Sequence, residues 1–392
     1  MFSQRTGWSL SSNQLIARLT TLQNEGKPII DLTESNPTRC GISYPQDEIL
    51  SVFHDTKNII YEPSSQGIVE ARRAICGYYK EKSFDISSER IFLTASTSEG
   101  YSFLFRLLLN PHDHILVPRP SYPLFEYLAN LNDVAIDNYS LVYEDGWDID
   151  MDSLEKSVSS QTRAIVLVNP NNPTGSFVKR EEIAQINRMC QKYNLAIICD
   201  EVFLDYPFDG KNEKSTSLVG NPEVLTFVLS GISKSLGLPQ MKLGWGVVSG
   251  PKDLVDEAIN RLEIILDTYL SVNTPAQNAL KAWFLLRPGI QKEIHRYLNE
   301  NRQFLFKNIS TLDQCSYLNG EGGWYAVLSL PKKLSEEDWV NLFLEKDYVF
   351  THPGYFFDFQ DEPYVVLSLL CAPEIFKEGV SRVINRIKVV LS

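Results

Sequence analysis

One lysine of this chain stands where its amine can act as a nucleophile. In the segment Ser230-Gly231-Ile232-Ser233-Lys234-Ser235-Leu236-Gly237-Leu238-Pro239, Lys234 is surrounded by small, uncharged residues. An ammonium placed there is poorly solvated, and burial lowers its pKa toward the range in which the free amine attacks a carbonyl. The chemistry implied is a Schiff base. Taken alone, the same S-x-S-K pattern also fits a surface lysine in a loop. A second group is Asp200, which closes the apolar run Leu195-Ala196-Ile197-Ile198-Cys199. A carboxylate at the end of a buried strand is costly unless it meets a positive partner, although an isolated aspartate there also fits a turn or a helix cap. The third feature is Asn169-Pro170-Asn171-Asn172-Pro173-Thr174-Gly175. It offers the Asn172 amide, and Asn-Pro is also plain turn chemistry.

In order and spacing these segments resemble the class I and II aminotransferases of pyridoxal phosphate (PLP) fold type I. The loop is similar to the family's N-P-x-N-P-T-G, Asp200-Glu201-Val202 follows it, and Asp200 precedes Lys234 by 34 residues. Tyr61-Glu62-Pro63-Ser64-Ser65-Gln66-Gly67, Pro118-Arg119-Pro120-Ser121-Tyr122-Pro123 and His352-Pro353-Gly354 extend the resemblance over nearly the whole chain. It implies that Lys234 carries PLP as a Schiff base and moves the substrate proton. Asp200 would keep the pyridine nitrogen protonated, so that the ring is an electron sink. Asn172 would bond the ring oxygen and border the substrate. Tyr122 would stack on the ring, although it also reads as a core tyrosine. Ser96-Thr97-Ser98, between a strand and a helix, would meet the phosphate, although helix capping accounts for the same residues. Ser233 and Lys242 complete the cofactor set. Tyr61 would reach the phosphate of a neighbouring subunit, which implies a homodimer with shared sites.

Four positions depart from the family pattern. Phe203 stands where a tyrosine usually follows Asp-Glu-Val, which removes a hydrogen bond to the cofactor's ring oxygen and implies a more basic Schiff base. Gly231 replaces a phosphate-binding serine. Lys242 replaces an arginine, keeping the charge and losing the bidentate fork. Val366 occupies the position of the arginine that clamps the substrate carboxylate. Arg39, in the loop Thr33-Glu34-Ser35-Asn36-Pro37-Thr38-Arg39, is the expected substitute, with Asn36 beside it; a solvated surface arginine is the alternative.

The bulk properties agree with an enzyme of small molecules. A net charge of −12 argues against nonspecific binding to nucleic acid. The six cysteines have no C-x-x-C spacing, the five histidines form no metal-binding array, and no apolar run reaches spanning length. Those features predict a cytoplasmic protein without a metal or membrane partner.

The elements that must position these residues read as an α/β fold. Short apolar runs at 164–168 and 195–199 suit strands buried on both faces of a mainly parallel sheet, with a helix from Arg180 to Tyr193 between them. Further strands are expected at 90–94, 114–117, 134–136, 226–229 and 244–248, and helices at 12–24, 68–80 and 99–109. In such a sheet ligands gather beyond the carboxyl ends of the strands, where Asn172, Asp200 and Lys234 all fall. Beyond Lys281 a long helix leads into an α+β segment with strands near 323–328 and 364–369. The organisation expected is a large PLP-binding domain over 45–280 and a smaller α+β domain built from 1–44 with 281–392. Residues before Trp8 are expected to be loose. The function these features imply is amino-group transfer between an amino acid and a 2-keto acid. β-Elimination or decarboxylation on the same scaffold is the alternative.

Overall fold

The apolar runs of the middle of the chain assemble into one eight-stranded sheet. The computed structural model describes residues 1–9, 13–208, 217–312, 314–361 and 363–392. Across the sheet the strands run Ile91–Thr94, Gly244–Ser249, Thr226–Gly231, Ala196–Asp200, Thr162–Val168, His114–Arg119, Ala135–Tyr143 and Trp147–Ile149. The five from Thr226–Gly231 to Ala135–Tyr143 are parallel, and antiparallel pairs close both edges.

Both faces of the parallel centre are buried, which is why its strands carry unbroken apolar runs. Successive side chains alternate between two separate cores. Ile165, Leu167, Ile197, Cys199 and Val228 join one cluster, and Val166, Val168, Ile198, Phe227 and Leu229 join the other.

Helix boundaries follow local caps. Arg180–Tyr193 ends at Asn194 in the left-handed conformation. Thr97–Leu108 begins two residues before its apolar periodicity suggests, because the Ser96 hydroxyl accepts the Glu99 N–H. The first long helix spans Gln14–Asn24 and is capped by Asn13; the expected start at Ser12 lies outside the described residues.

The later part of the chain builds a four-stranded antiparallel sheet in the order Ser316–Leu318, Tyr325–Ser329, Tyr364–Ser368, His352–Pro353. Near it, Ile30–Asp31 pairs in parallel with Val349–Phe350, so the N-terminal segment and the C-terminal third are stitched together. A 36-residue helix, Thr274–Ile309, packs on both Val69–Lys80 and Pro373–Leu391. It therefore runs unbroken through the position expected to separate two domains. The residues before Trp8 are exposed; Arg5 among them pairs with Asp133, and Trp8 meets Tyr127 edge-on at 5.2 Å.

Candidate active site

Three strand ends of the parallel sheet converge on one cavity of about 450 Å³. Lys234 enters it from a four-residue helical turn, Ile232–Ser235, that follows the Thr226–Gly231 strand. Its amine lies 4.5 Å from the centre of the Trp324 ring and 5.4 Å from that of Phe203. Burial against these rings lowers the lysine pKa to about 8, while Asp200 and Cys40 pull it back upward. A substantial fraction of the amine is then neutral just above neutral pH. Below the turn, the buried Tyr206 hydroxyl holds the Lys234 carbonyl at 2.6 Å.

Asp200 ends its strand on the cavity wall. Burial pushes its carboxyl up to about 6, against the Val202 N–H, the Tyr101 hydroxyl and Lys234, which all favour the ionised form. The Val202 N–H donates to Oδ1 at 3.1 Å and the Tyr101 O–H donates to Oδ2 at 3.3 Å. These two bonds fix the carboxylate but leave it short of the positive partner that its burial calls for.

The Asn169–Gly175 loop is held mainly by its own bonds. The Asn171 side chain accepts the Thr174 hydroxyl at 2.9 Å, and Asn169 donates its N–H to the Asp200 carbonyl at 2.8 Å. Asn172 is thereby placed on the cavity wall, with its buried Oδ1 unpartnered among the described residues. Gly175, at φ +74°, receives the N–H groups of Glu321 and Gly322, and a Cβ there would lie 2.4 Å from the Gly322 carbonyl oxygen.

Opposite, the start of the Thr97–Leu108 helix brings Ser96, Thr97 and Ser98 to the cavity, and Tyr122 forms part of its wall. Ser233 lines it as well. Gly231 and Gly244 are register partners that close this end. A Cβ on Gly231 would sit 3.1 Å from Gly244 Cα and from the Leu243 carbonyl oxygen. A serine at 231 would therefore press on the paired backbone.

Other expected residues lie elsewhere. Lys242 is exposed in the left-handed conformation, adjacent to the lining residues Leu243 and Gly244. Tyr61 is 78% exposed and borders a separate surface groove with Ser64 and Ser271. Asn36 uses its side-chain oxygen to accept both the N–H and the hydroxyl of Thr38. Arg39 is exposed, and neither it nor Asn36 is among the residues lining the cavity; Ser35 from the same loop is.

The amino-acid sequence alone did not assign Ser35, Tyr101, Tyr206, Trp324, Tyr325 or His352 to the site. Ser35 hydrogen-bonds the Tyr325 side chain, and both line the cavity with His352, Phe356 and Phe357. The only signal was weak: Gly323-Trp324-Tyr325 read as a strand entry, and His352-Pro353-Gly354 matched the family without a role.

The family model for aminotransferase class I and II matches residues 21–364. This chain belongs to that family. The glutamate-pyruvate aminotransferase AlaA of Escherichia coli is 30% identical over 261 residues, covering 66% of this chain and 64% of that protein. The chain thus spans less than two thirds of the length of that curated relative. The alanine aminotransferase of Mycobacterium tuberculosis is 26% identical over 329 residues, 81% of this chain and 75% of that one. Among solved structures, the alanine aminotransferase of Pyrococcus furiosus superposes with a TM-score of 0.88 at 25% identity, covering 99% of this chain and 100% of that one. The architecture is PLP fold type I.

PLP is the cofactor of class I and II aminotransferases, and the residues present fit it. A cavity whose wall carries an unpartnered asparagine oxygen, a buried carboxylate in no ion pair among the described residues and a helix N-terminus fits a polar ring with a protonatable nitrogen and an anionic tail.

Proposed function

We propose that this aminotransferase moves an amino group between an amino acid and a 2-keto acid, with PLP held at Lys234. The observation that carries the reading is the juxtaposition, in one cavity, of a lysine amine with its pKa near 8, the buried Asp200 carboxyl and the unpartnered Asn172 amide. When bound, PLP supplies an electron sink for the carbon that loses its proton. Asp200 would face the pyridine nitrogen, Asn172 the ring oxygen and Tyr122 the ring face. Ser96, Thr97, Ser98 and Ser233 would take the phosphate, with Lys242 next to them. Lys234 Nζ is the group suited to take up the substrate's Cα proton and hand it on, since its pKa lies close to working pH. The aromatic walls exclude water from that transfer.

Under the same reading the active form is a cytoplasmic homodimer, in which Tyr61 completes the neighbour's phosphate site. Its exposure leaves it free for that role. Among the described residues no helix is long and apolar enough to cross a membrane.

The test is an absorbance titration of the PLP-loaded protein with a panel of amino acids, no keto acid being present. Transamination converts the cofactor once and releases one equivalent of keto acid. Repeated turnover to keto acid and ammonia with unchanged cofactor would make the chain a lyase, and release of CO2 a decarboxylase. The relatives named as glutamate-pyruvate and alanine aminotransferases favour the first outcome.

A further inference from the structure

Among the described residues that line the cavity, only Lys234 and His352 carry a basic nitrogen, and no arginine is among them. Lys234 is committed to the cofactor. His352 is therefore the remaining group on the wall that can take a positive charge opposite an anionic substrate. Its place in the fold is specific. In the antiparallel pair His352–Pro353 with Tyr364–Ser368, His352 is the register partner of Val366. Directly opposed residues of an antiparallel pair present their side chains on the same face of the sheet. His352 thus projects beside the position at which an arginine clamp was expected. Val366 itself is buried with Trp147, Leu318, Val327 and Phe357 and offers nothing polar.

The imidazole stands in an apolar frame. The rings of Phe350, Phe356 and Phe357 surround it, with centroids 5.9, 5.6 and 5.8 Å away. Among the described residues nothing hydrogen-bonds its ring nitrogens, and Asp31 is the one charged group that bears on it. This burial drives the imidazole pKa down to about 4, so the ring is neutral before a ligand arrives. A neutral imidazole offers one N–H donor and one lone pair. A carboxylate entering such a site gains a charge-assisted hydrogen bond in low dielectric, and its charge favours protonation of the ring.

The geometry points to His352 as the residue that receives the α-carboxylate of the amino-acid substrate, in the role left open by Val366. This assignment rests on the reading that the cavity takes an amino acid. It makes His352 a specificity-determining residue.

Two measurements test it. The first compares, in the half-reaction of the PLP-loaded protein, the best amino-acid donor with the amine that lacks only its carboxylate. The wild type should prefer the amino acid. His352→Phe, which suits the aromatic frame, should raise the amino-acid KM about 10- to 100-fold and leave the amine unaffected. His352→Gln, which keeps an N–H donor, should recover part of the preference. An undiminished preference in His352→Phe and His352→Gln overturns the proposal, as does its loss on Arg39→Ala with retention in both His352 variants. The second measurement needs no turnover. The PLP-loaded protein is titrated with 3-phenylpropionate while the imidazole 15N resonances are followed, those of His352 being identified by their loss in His352→Phe. Shifted resonances support the assignment even if no amino acid is converted, which would sink the aminotransferase reading alone. Unmoved resonances at saturating carboxylate refute it even in an active enzyme.

Discussion

The Tyr206 hydroxyl donates a 2.6 Å hydrogen bond to the carbonyl oxygen of Lys234, across 28 positions of sequence. Tyr206 is fully buried and lies edge-on to Trp324, whose ring in turn faces the Lys234 amine. One tyrosine therefore sets both the backbone of the reactive lysine and the surface under its side chain. Tyr206→Phe should leave the carbonyl with backbone N–H contacts alone, that of Gly237 lying at 3.2 Å. The expected loss is about 1–2 kcal/mol in urea unfolding, together with a fall in kcat that exceeds any rise in KM. Unchanged stability and kcat would mean that the turn holds itself.

Asp200 gives a pH dependence whose sign is fixed. Its carboxyl is raised to about 6 in the folded chain, against roughly 3.9 when unfolded. The native state then holds the proton more tightly, so the associated stability is present below the unfolded value and is lost as pH rises through about 6. Above that, the cofactor-free protein carries a penalty of about 3 kcal/mol. Asp200→Asn should unfold later than wild type at pH 8 without PLP, with the gap closing toward pH 4. With PLP added the order should reverse, because the partner of the pyridine nitrogen is gone. Parallel stability curves without cofactor would show that the ionised carboxylate is accommodated at no cost.

The Lys234 amine is freed of its proton as pH climbs through about 8. Uptake of PLP by the cofactor-free protein should accelerate with pH around that value and then level off. In Lys234→Ala the Schiff-base absorbance should be missing altogether; a band that survives there would assign the attachment to another lysine.

Gly175 is a packing prediction. Its φ of +74° and the 2.4 Å that would separate an added Cβ from the Gly322 oxygen act together. Gly175→Ala should destabilise the protein by about 2–4 kcal/mol, and the Asn172 side chain should shift with the loop. A variant as stable as the parent would show that the Glu321–Gly323 segment yields freely.

How much of this was legible beforehand depends on how each residue reaches the cavity. Lys234, Asp200 and Asn172 follow directly from the ends of apolar runs, so local pattern was enough. Ser96 and its neighbours could be placed because a serine before a helix is a local signal as well. Ser35, Tyr325 and His352 were given no role in the site because their approach depends on pairings between distant segments, and no periodicity records a register. Val366 illustrates both sides. The loss of an arginine was visible in one letter, but the group opposite it became known only from the antiparallel alignment with His352. The resemblance suggested Arg39, because its loop borders the substrate entrance in that family; Arg39 is exposed and is not among the described residues lining the cavity. The start of the Thr274–Ile309 helix was hidden for another reason: Pro275 and Pro288 both lie inside it, the first at its opening turn where proline is tolerated.

The parallel pairing of Ile30–Asp31 with Val349–Phe350 also bears on how the protein is made. A nascent chain can bring Asp200 and Lys234 together while its C-terminal third is still unmade. The wall bearing Ser35 and His352 has to wait for the far partner strand to emerge, since a contact between such remote segments closes late and slowly. During synthesis there is thus an interval in which the floor of the pocket exists without the side assigned to the carboxylate. Over that interval a ligand gripped only by the floor would meet an open, water-filled cleft.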